Sequence, residues 1–403
     1  MFPPLAYLQW IEGRPAAAEH DLGSSDLRRP PDGDPDDPVP PRLRGRSAPS
    51  DGRSLREDVA DEYGVGEANV LLTAGATHGG FLACAAAAAL AREHHDDAPR
   101  DDGQTPADAV GGNGPRPCAL VEMPGYEPLV ETPRGVGTRV ARFRRPGPEH
   151  GLDPERVATA ARDLAGPLAH VTVTNRHNPT GALVDRATLA ATAEVAADHG
   201  GYLLVDEVYA PYTGGTGGND AIVGGDVRGS DDAPGDAFGG PTGAGLPATV
   251  TVGSLTKFHG LGGLRVGWIT GPEAFIERAR LVEHHVPALA APSVALARRL
   301  FADLDDLVAD ARDHCRRNHE LLAGFLADRD DLGGSVEPGS PFAYLEHERA
   351  DGDAVSEAAW DAGVLVVPGR FFGMREGVRV SLGRAPDDCE AALEAFGRVL
   401  DGL

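Results

Sequence analysis

The chain has 403 residues, 41% of them hydrophobic, which is enough for two domains, or for one large domain with a smaller companion. Its 62 acidic residues outnumber the 37 basic ones and give a formal charge of −25. That field repels phosphate backbones and anionic lipid, so nucleic-acid and membrane-surface binding are excluded as first readings.

The opening, MFPPLAYLQWIEGRP, has no basic segment ahead of its apolar residues and does not read as a signal peptide. Residues 24–52 are rich in Pro, Asp, Ser and Arg and predict an irregular stretch, so 1–50 reads as an N-terminal arm that contributes to a smaller domain. SLREDVADEYG then opens a regular pattern, and VLLTAGAT is a strand running into a helix. FLACAAAAALA (81–91) is too short to span a bilayer and reads as a buried helix. PCALVEMPGY is a strand ending in a turn, and DPERVATAARDLA a helix with an Asp cap and Pro at its first position. Next come strand HVTVTN, helix DRATLAATAEVAADHG closed by Gly, and strands YLLVDE, ATVTVGS and RVGWIT. This alternation predicts an α/β domain over 51–272, with a largely parallel sheet covered on both faces.

Two stretches interrupt it, at about 93–117 and 213–245. Both are Gly/Asp-rich and poor in large apolar groups, and both are expected to be solvated surface loops. From 273 to 403, long helices and the strands VLVVPG and GVRVSLGR predict linking helices and a smaller α+β domain. The four cysteines are scattered with no CxxC pair, which fits a reducing cytoplasm. The acidic runs, such as DGDPDDP, read as solvation in concentrated salt, a halophilic trait, and not as a binding site.

Of the 37 basic residues one alone is a lysine, Lys257, in TVGSLTKFHGLGGLRVGW. Codon drift in a GC-rich genome would leave such a straggler. A site that needs an amine able to lose its proton would also keep it, because arginine cannot do that and lysine can form a Schiff base. Its neighbours decide between the two. Ligands of open α/β sheets sit beyond the carboxyl ends of the strands. At those ends stand Gly75, Ala76 and Thr77, Tyr126, NRHNPTG (175–181), Asp206 with Tyr209, and Ser254 with Lys257 and Arg265. These are phosphate-type and ring-type ligands gathered near one amine.

The ordered set NPTG (178–181), DEVY (206–209) and SLTK (254–257), with an arginine eight positions after the lysine, resembles the class I/II aminotransferases among the fold-type I pyridoxal-phosphate (PLP) enzymes. The likeness covers nearly the whole chain. It implies a large domain with a mostly parallel central sheet between helices, and a smaller α+β domain. It implies PLP as cofactor, an amino acid and a 2-oxo acid as substrates, and a homodimer. By this resemblance Lys257 forms the Schiff base and shuttles the substrate proton, the amino group being held as pyridoxamine between the two substrates. Asp206 pairs with the pyridine nitrogen so that the ring can accept electrons. Tyr209 and Asn178 bind the phenolic oxygen, and Tyr126 stacks on the ring. Gly75, Ala76 and Thr77 open a helix whose N–H groups and dipole suit the phosphate, with Ser254 and Arg265 completing the cup. Arg379 in GVRVSLGR matches the arginine that grips the substrate carboxylate through its fork. Arg384 is its neighbour and competitor. In relatives a tyrosine ahead of a G…LR segment reaches the neighbouring subunit's phosphate. Here Ser47 or Ala48 falls about there, and Arg44 and Arg46 are the candidates to replace it.

Other readings fare less well. A decarboxylase, β-eliminating lyase or cyclase shares the same cofactor residues and differs in the substrate bond broken, which sequence does not display. SLTK also matches the S-x-x-K of serine hydrolases, but it follows a strand and no second lysine supplies a K-T-G. A regulator built on an aminotransferase-like domain would need a DNA-binding module, and a charge of −25 argues against one. The pairs His94-His95 and His284-His285 lack further ligands at metal spacing.

Overall fold

The computed structural model describes residues 2–27, 37–96, 115–147, 149–212 and 236–403. Runs of Val, Leu and Thr build a seven-stranded sheet. Its strands are β1 (Val70–Thr73), β2 (Cys118–Met123), β3 (Arg139–Arg144), β4 (Leu168–Thr174), β5 (Tyr202–Asp206), β6 (Thr249–Ser254) and β7 (Gly267–Thr270). Their spatial order is β1-β7-β6-β5-β4-β2-β3. All neighbours run parallel except β7, which is antiparallel to both β1 and β6. Every residue of β4 is buried, as expected of a strand covered on both faces.

Helices supply that cover. Ahead of the sheet lie α1 (Ala6–Ile11) and α2 (Leu55–Glu62); the latter starts at a capping box formed by Ser54 and Glu57. The 22-residue α3 (Gly75–Asp96) packs with α7 (Glu273–Glu283) on one face of the sheet, where Leu82, Val250, Ile269 and Phe275 share a core. On the other face α5 (Pro154–Arg162) and α6 (Arg186–Asp198) bury Val157 and Leu189 against Leu203 and Val205. Asp153 caps α5 and Asp185 caps α6, each side chain accepting a backbone N–H of the first turn. Helix α4 (Glu127–Gly135) starts just after Tyr126, at the edge of the site described below.

Two helices, α8 (Ala291–Ala302) and α9 (Leu304–Ala327), lead to a second sheet. It consists of β8 (Leu332–Ser335), β9 (Phe342–His347), β10 (Val367–Pro368) and β11 (Gly377–Ser381), in the order β8-β9-β11-β10 and antiparallel throughout. With α10 (Gly352–Asp361) and α11 (Pro386–Leu400) it encloses its own core around Leu345, Val378, Val380 and Phe396. His20–Asp21 of the N-terminal segment pairs in parallel with Val364–Leu365. Among the described residues no helix is long and apolar enough to cross a membrane.

One local expectation needs correction, and two features went unread in the sequence. Most of the loops expected at 93–117 and 213–245 lies outside the described residues, but 236–245 is not solvated. It forms a short hairpin whose Phe238 is 3% exposed and packs on Tyr63, Trp268 and His259. Strands β3, β8 and β9 had no sequence signal strong enough to place them; β8 holds two glycines, and β3 carries arginines at both ends. The stretch from residue 24 is irregular as expected, and residues 21–27 are all buried, with Leu22 in one core and Leu27 in the other.

Candidate active site

Five strands of the large sheet deliver their carboxyl ends to one cavity of about 210 Å³. Beyond β1 come Ala76 and Thr77, beyond β2 Tyr126, beyond β4 Asn178, and at the end of β5 Asp206 with Tyr209 close behind. Strand β6 ends at Ser254 and hands the chain to Lys257. Arg265 and, from the second sheet, Arg379 complete the wall. Ten of the eleven residues singled out from sequence thus line one cavity; the eleventh, Gly75, stands beside it against Arg265.

The anion end is built around the start of α3. Gly75 has φ +80°, and a Cβ there would stand 2.9 Å from Arg265 Nη2. Arg265 is itself left-handed at φ +51°, closing a 3-10 turn over Gly262–Leu264, and Nη2 donates to the Ala74 carbonyl at 3.4 Å. Ser254 Oγ accepts the Thr256 N–H at 3.0 Å and donates to Thr256 Oγ1 at 2.9 Å. Two hydroxyls, an exposed guanidinium and the free N–H groups of a helix start therefore face one space, which is the donor set a phosphate needs.

At the other end lies Asp206. Burial pushes its carboxyl up to about 6, against the opposing pull of the Val208 N–H and of Lys257. Tyr209 is 4% exposed, edge-on to Phe342, with Lys257 Nζ 5.7 Å from its ring centre. Burial works against the Lys257 charge, but Tyr209, Asp26 and Tyr7 outweigh it and hold the amine above its ordinary value. Tyr126, a phenol that burial raises well above the ordinary value, meets the edge of Tyr7 at 5.6 Å.

Arg379 is 1% exposed. Its Nη1 donates to Asn178 Oδ1 and its Nη2 to the Gly23 carbonyl, both at 2.9 Å, while Nε is buried without a partner. Arg384, its sequence competitor, is committed elsewhere: Nη2 pairs with Asp21 Oδ2 at 2.6 Å. Arg44 pairs with Asp37 and Arg46 with Asp303, and neither lines the cavity.

Sequence reasoning missed Tyr7, Ser25, Phe81, Leu129, Thr132, Val208 and Thr256, which also line the cavity. Thr256 was legible in principle, as the third residue of SLTK. Ser25 and Tyr7 carry no local signal, because only the tertiary fold brings the N-terminal segment to Lys257.

A doubly covered, mostly parallel sheet with a lysine, an aspartate and an anion cup at its carboxyl edge defines the fold-type I PLP-dependent transferases. A match to the family "Aminotransferase class I and II" spans residues 109–396, and the chain belongs to that family. The aspartate/prephenate aminotransferase of Thermus thermophilus is 29% identical over 291 residues, covering 68% of this chain and 66% of that relative. Capreomycidine synthase of Streptomyces vinaceus is 26% identical over 293 residues, 70% of this chain and 68% of that protein. In structure, a PLP-dependent aminotransferase from Streptococcus suis superposes with TM-score 0.75 at 18% identity, covering 100% of this chain and 98% of that one.

The residues fit the cofactor that membership implies. The space a Cβ on Gly75 would fill is left open for the Arg265 guanidinium, a lone amine stands in the wall, and a carboxylate raised by burial lies within its field.

Proposed function

We propose that the protein is an aminotransferase that moves the amino group of an L-amino acid to a 2-oxo acid. The observation that carries this reading is that the chain's one lysine places its amine in a cavity shared with Asp206, Tyr209 and Arg379. Ala76, Thr77, Ser254, Thr256 and Arg265 would hold the cofactor phosphate, and Asp206 and Asn178 the ring. Pyridoxal phosphate supplies an aldehyde and an electron-accepting ring on which the amino group is carried between substrates.

The chain's own residues do the rest. Arg379 meets the substrate carboxylate: its Nε is unpartnered, and Asn178 and the Gly23 carbonyl fix the guanidinium plane. Lys257 Nζ, once freed from the cofactor, would be the base that takes the proton from the substrate Cα. Asp206, whose carboxyl burial raises to about 6 in the cofactor-free chain, would hold the proton on the ring nitrogen. Tyr209 would donate its hydroxyl proton to the ring oxygen. Tyr7, Phe81 and Leu129 bring apolar surface to the cavity and exclude water from the proton transfers.

A second reading keeps the same residues and changes the reaction, since one relative is named capreomycidine synthase. The homodimer is likewise a proposal, carried by the resemblance. The test mixes the protein with PLP and records the bound-cofactor absorption band before and after borohydride, with Lys257→Arg as control. A panel of amino acids is then scored for release of the matching 2-oxo acid without an added acceptor. A lysine-dependent band with 2-oxo acid release supports the proposal. A band with carbon dioxide, ammonia or a cyclised product instead moves the protein to the second reading. Absence of a lysine-dependent band overturns both.

A further inference from the structure

Ser25 has no role in the family resemblance, yet it touches both groups at the centre of the cavity. Its Oγ lies 2.6 Å from Tyr209 Oη and accepts from Lys257 Nζ at 3.3 Å, across 232 residues of sequence. The contact is fixed from several sides. Asp21 Oδ1 accepts the N–H groups of Gly23 and Ser24, each at 2.9 Å, and folds the segment into a tight turn. The Gly23 carbonyl accepts from Arg379, and the Ser25 carbonyl from Tyr212 Oη at 3.3 Å. The Leu27 N–H donates to the carbonyl of Lys257 itself at 3.0 Å. The segment is stitched to the lysine's own backbone, and Ser25 is 3% exposed. A serine placed only to fill space needs none of these ties.

We propose that Ser25 is a positioning residue for the catalytic amine, its hydroxyl holding Lys257 Nζ and Tyr209 Oη in one hydrogen-bonded row. A hydroxyl has one proton to give and two lone pairs. With Lys257 donating to it, Ser25 Oγ gives its own proton to the nearest acceptor, Tyr209 Oη. That leaves the Tyr209 proton free to point into the cavity and keeps the ammonium partnered. The other groups facing Lys257 are Tyr7 from α1, Asp26 beside Ser25, Asp206 at the end of β5, and Arg379 from the second sheet. Ser25 and Tyr209 form the row with Lys257. The inference rests on the proposed role of Lys257 and adds a residue from the N-terminal segment to it.

The lone lysine makes a direct test available. Full-length protein stripped of cofactor is treated with an amine-acylating reagent from pH 8 to 11.5, and the Lys257 peptide is quantified by mass spectrometry. The chain's α-amine reacts on a different peptide. Removing a hydrogen bond that favours the ammonium lowers its pKa, here by about one unit, or about tenfold in labelling rate at a fixed pH below the midpoint. Ser25→Ala is expected to show that shift, and Ser25→Thr, which keeps the hydroxyl, is expected to titrate like the parent. Ser25→Gly serves in its place if the alanine variant does not fold by circular dichroism. Superimposable profiles for the parent and the hydroxyl-free variant would overturn the proposal, and so would a threonine variant that shifts as far as alanine. Prior addition of PLP and borohydride should block labelling of the parent. If it does not, the proposed function falls while the Ser25 comparison still stands.

Discussion

Asp21 is the anchor through which the N-terminal segment reaches the site, and replacing it separates the segment's two jobs. The side chain is 3% exposed, Oδ2 pairs with an Arg384 that is 27% exposed, and Oδ1 takes two backbone N–H groups. Asp21→Ala leaves those two N–H groups buried without an acceptor, while Arg384 can turn to water. At roughly 1 kcal/mol for each orphaned donor and about as much for the half-buried pair, the variant should lose about 3 kcal/mol. Asp21→Asn keeps an acceptor for the N–H groups and should lose about 1 kcal/mol. Urea unfolding at unchanged slope reads both values. The functional consequence follows from the turn: without it the Gly23 carbonyl leaves Arg379, and the guanidinium plane is no longer fixed. The KM for the amino acid in the 2-oxo acid release assay should rise about tenfold in Asp21→Ala, equivalent to about 1.4 kcal/mol. An alanine variant with the expected stability loss and an unchanged KM would refute the argument that this segment positions Arg379.

The remaining expectations concern charge, backbone and packing. Burial raises Asp206 from 3.8 to about 6 and Glu207 from 4.5 to about 7, so the folded cofactor-free chain binds these protons more tightly than the unfolded chain. Its stability should therefore fall as pH rises from about 4 to about 7, by about 3 kcal/mol per carboxyl at most. Asp206→Asn should make the cofactor-free chain more stable than the parent at pH 8, give no gain at pH 4, and abolish turnover; urea unfolding at the two pH values decides. Gly75→Ala puts an L residue at φ +80° and a Cβ 2.9 Å from Arg265 Nη2. It should lose about 1–2 kcal/mol and bind PLP about tenfold more weakly in an absorbance titration. Phe238→Ala should lose about 3–5 kcal/mol on thermal or urea unfolding, because its ring is buried among Tyr63, Trp268 and His259. A change below 1 kcal/mol would return the hairpin to the surface.

How much of this was legible depended on how far apart the partners lie in sequence. Strand ends were readable because a run such as HVTVTN states its own period and its own stop. Functional residues placed just past those stops inherit their position from the sheet, so Asp206, Ser254 and Lys257 could be read as neighbours before any coordinates. The cap at Asp153 was readable for the same local reason. The hairpin at 236–245 was not. Its Gly- and Pro-rich composition matches a solvated loop, and one phenylalanine, clamped by Glu62 at its N–H, reverses the outcome through contacts far away in sequence. The choice between Arg379 and Arg384 shows the limit most clearly. Both stand in GVRVSLGR; alternation with Val378 and Val380 favours Arg379, but the partner of each, Asn178 for one and Asp21 for the other, is visible only in the fold.

That pair also explains why the N-terminal segment had to be opaque to sequence. Arg384 holds Asp21, Arg379 holds Gly23, and Lys257 holds Ser25 by its amine and Leu27 by its carbonyl. Alternate residues of one short buried segment thus meet three groups, and two of the four ties are to main chain, where the identity of the side chain leaves no trace. Asp21 and Ser25 supply the other two, through their own side chains. The segment therefore couples the small sheet, which carries Arg379, to the loop that carries Lys257. Displacing it would disturb the carboxylate grip and the amine together, and for that reason both the KM measured for Asp21 variants and the Lys257 titration measured for Ser25 variants report on one element.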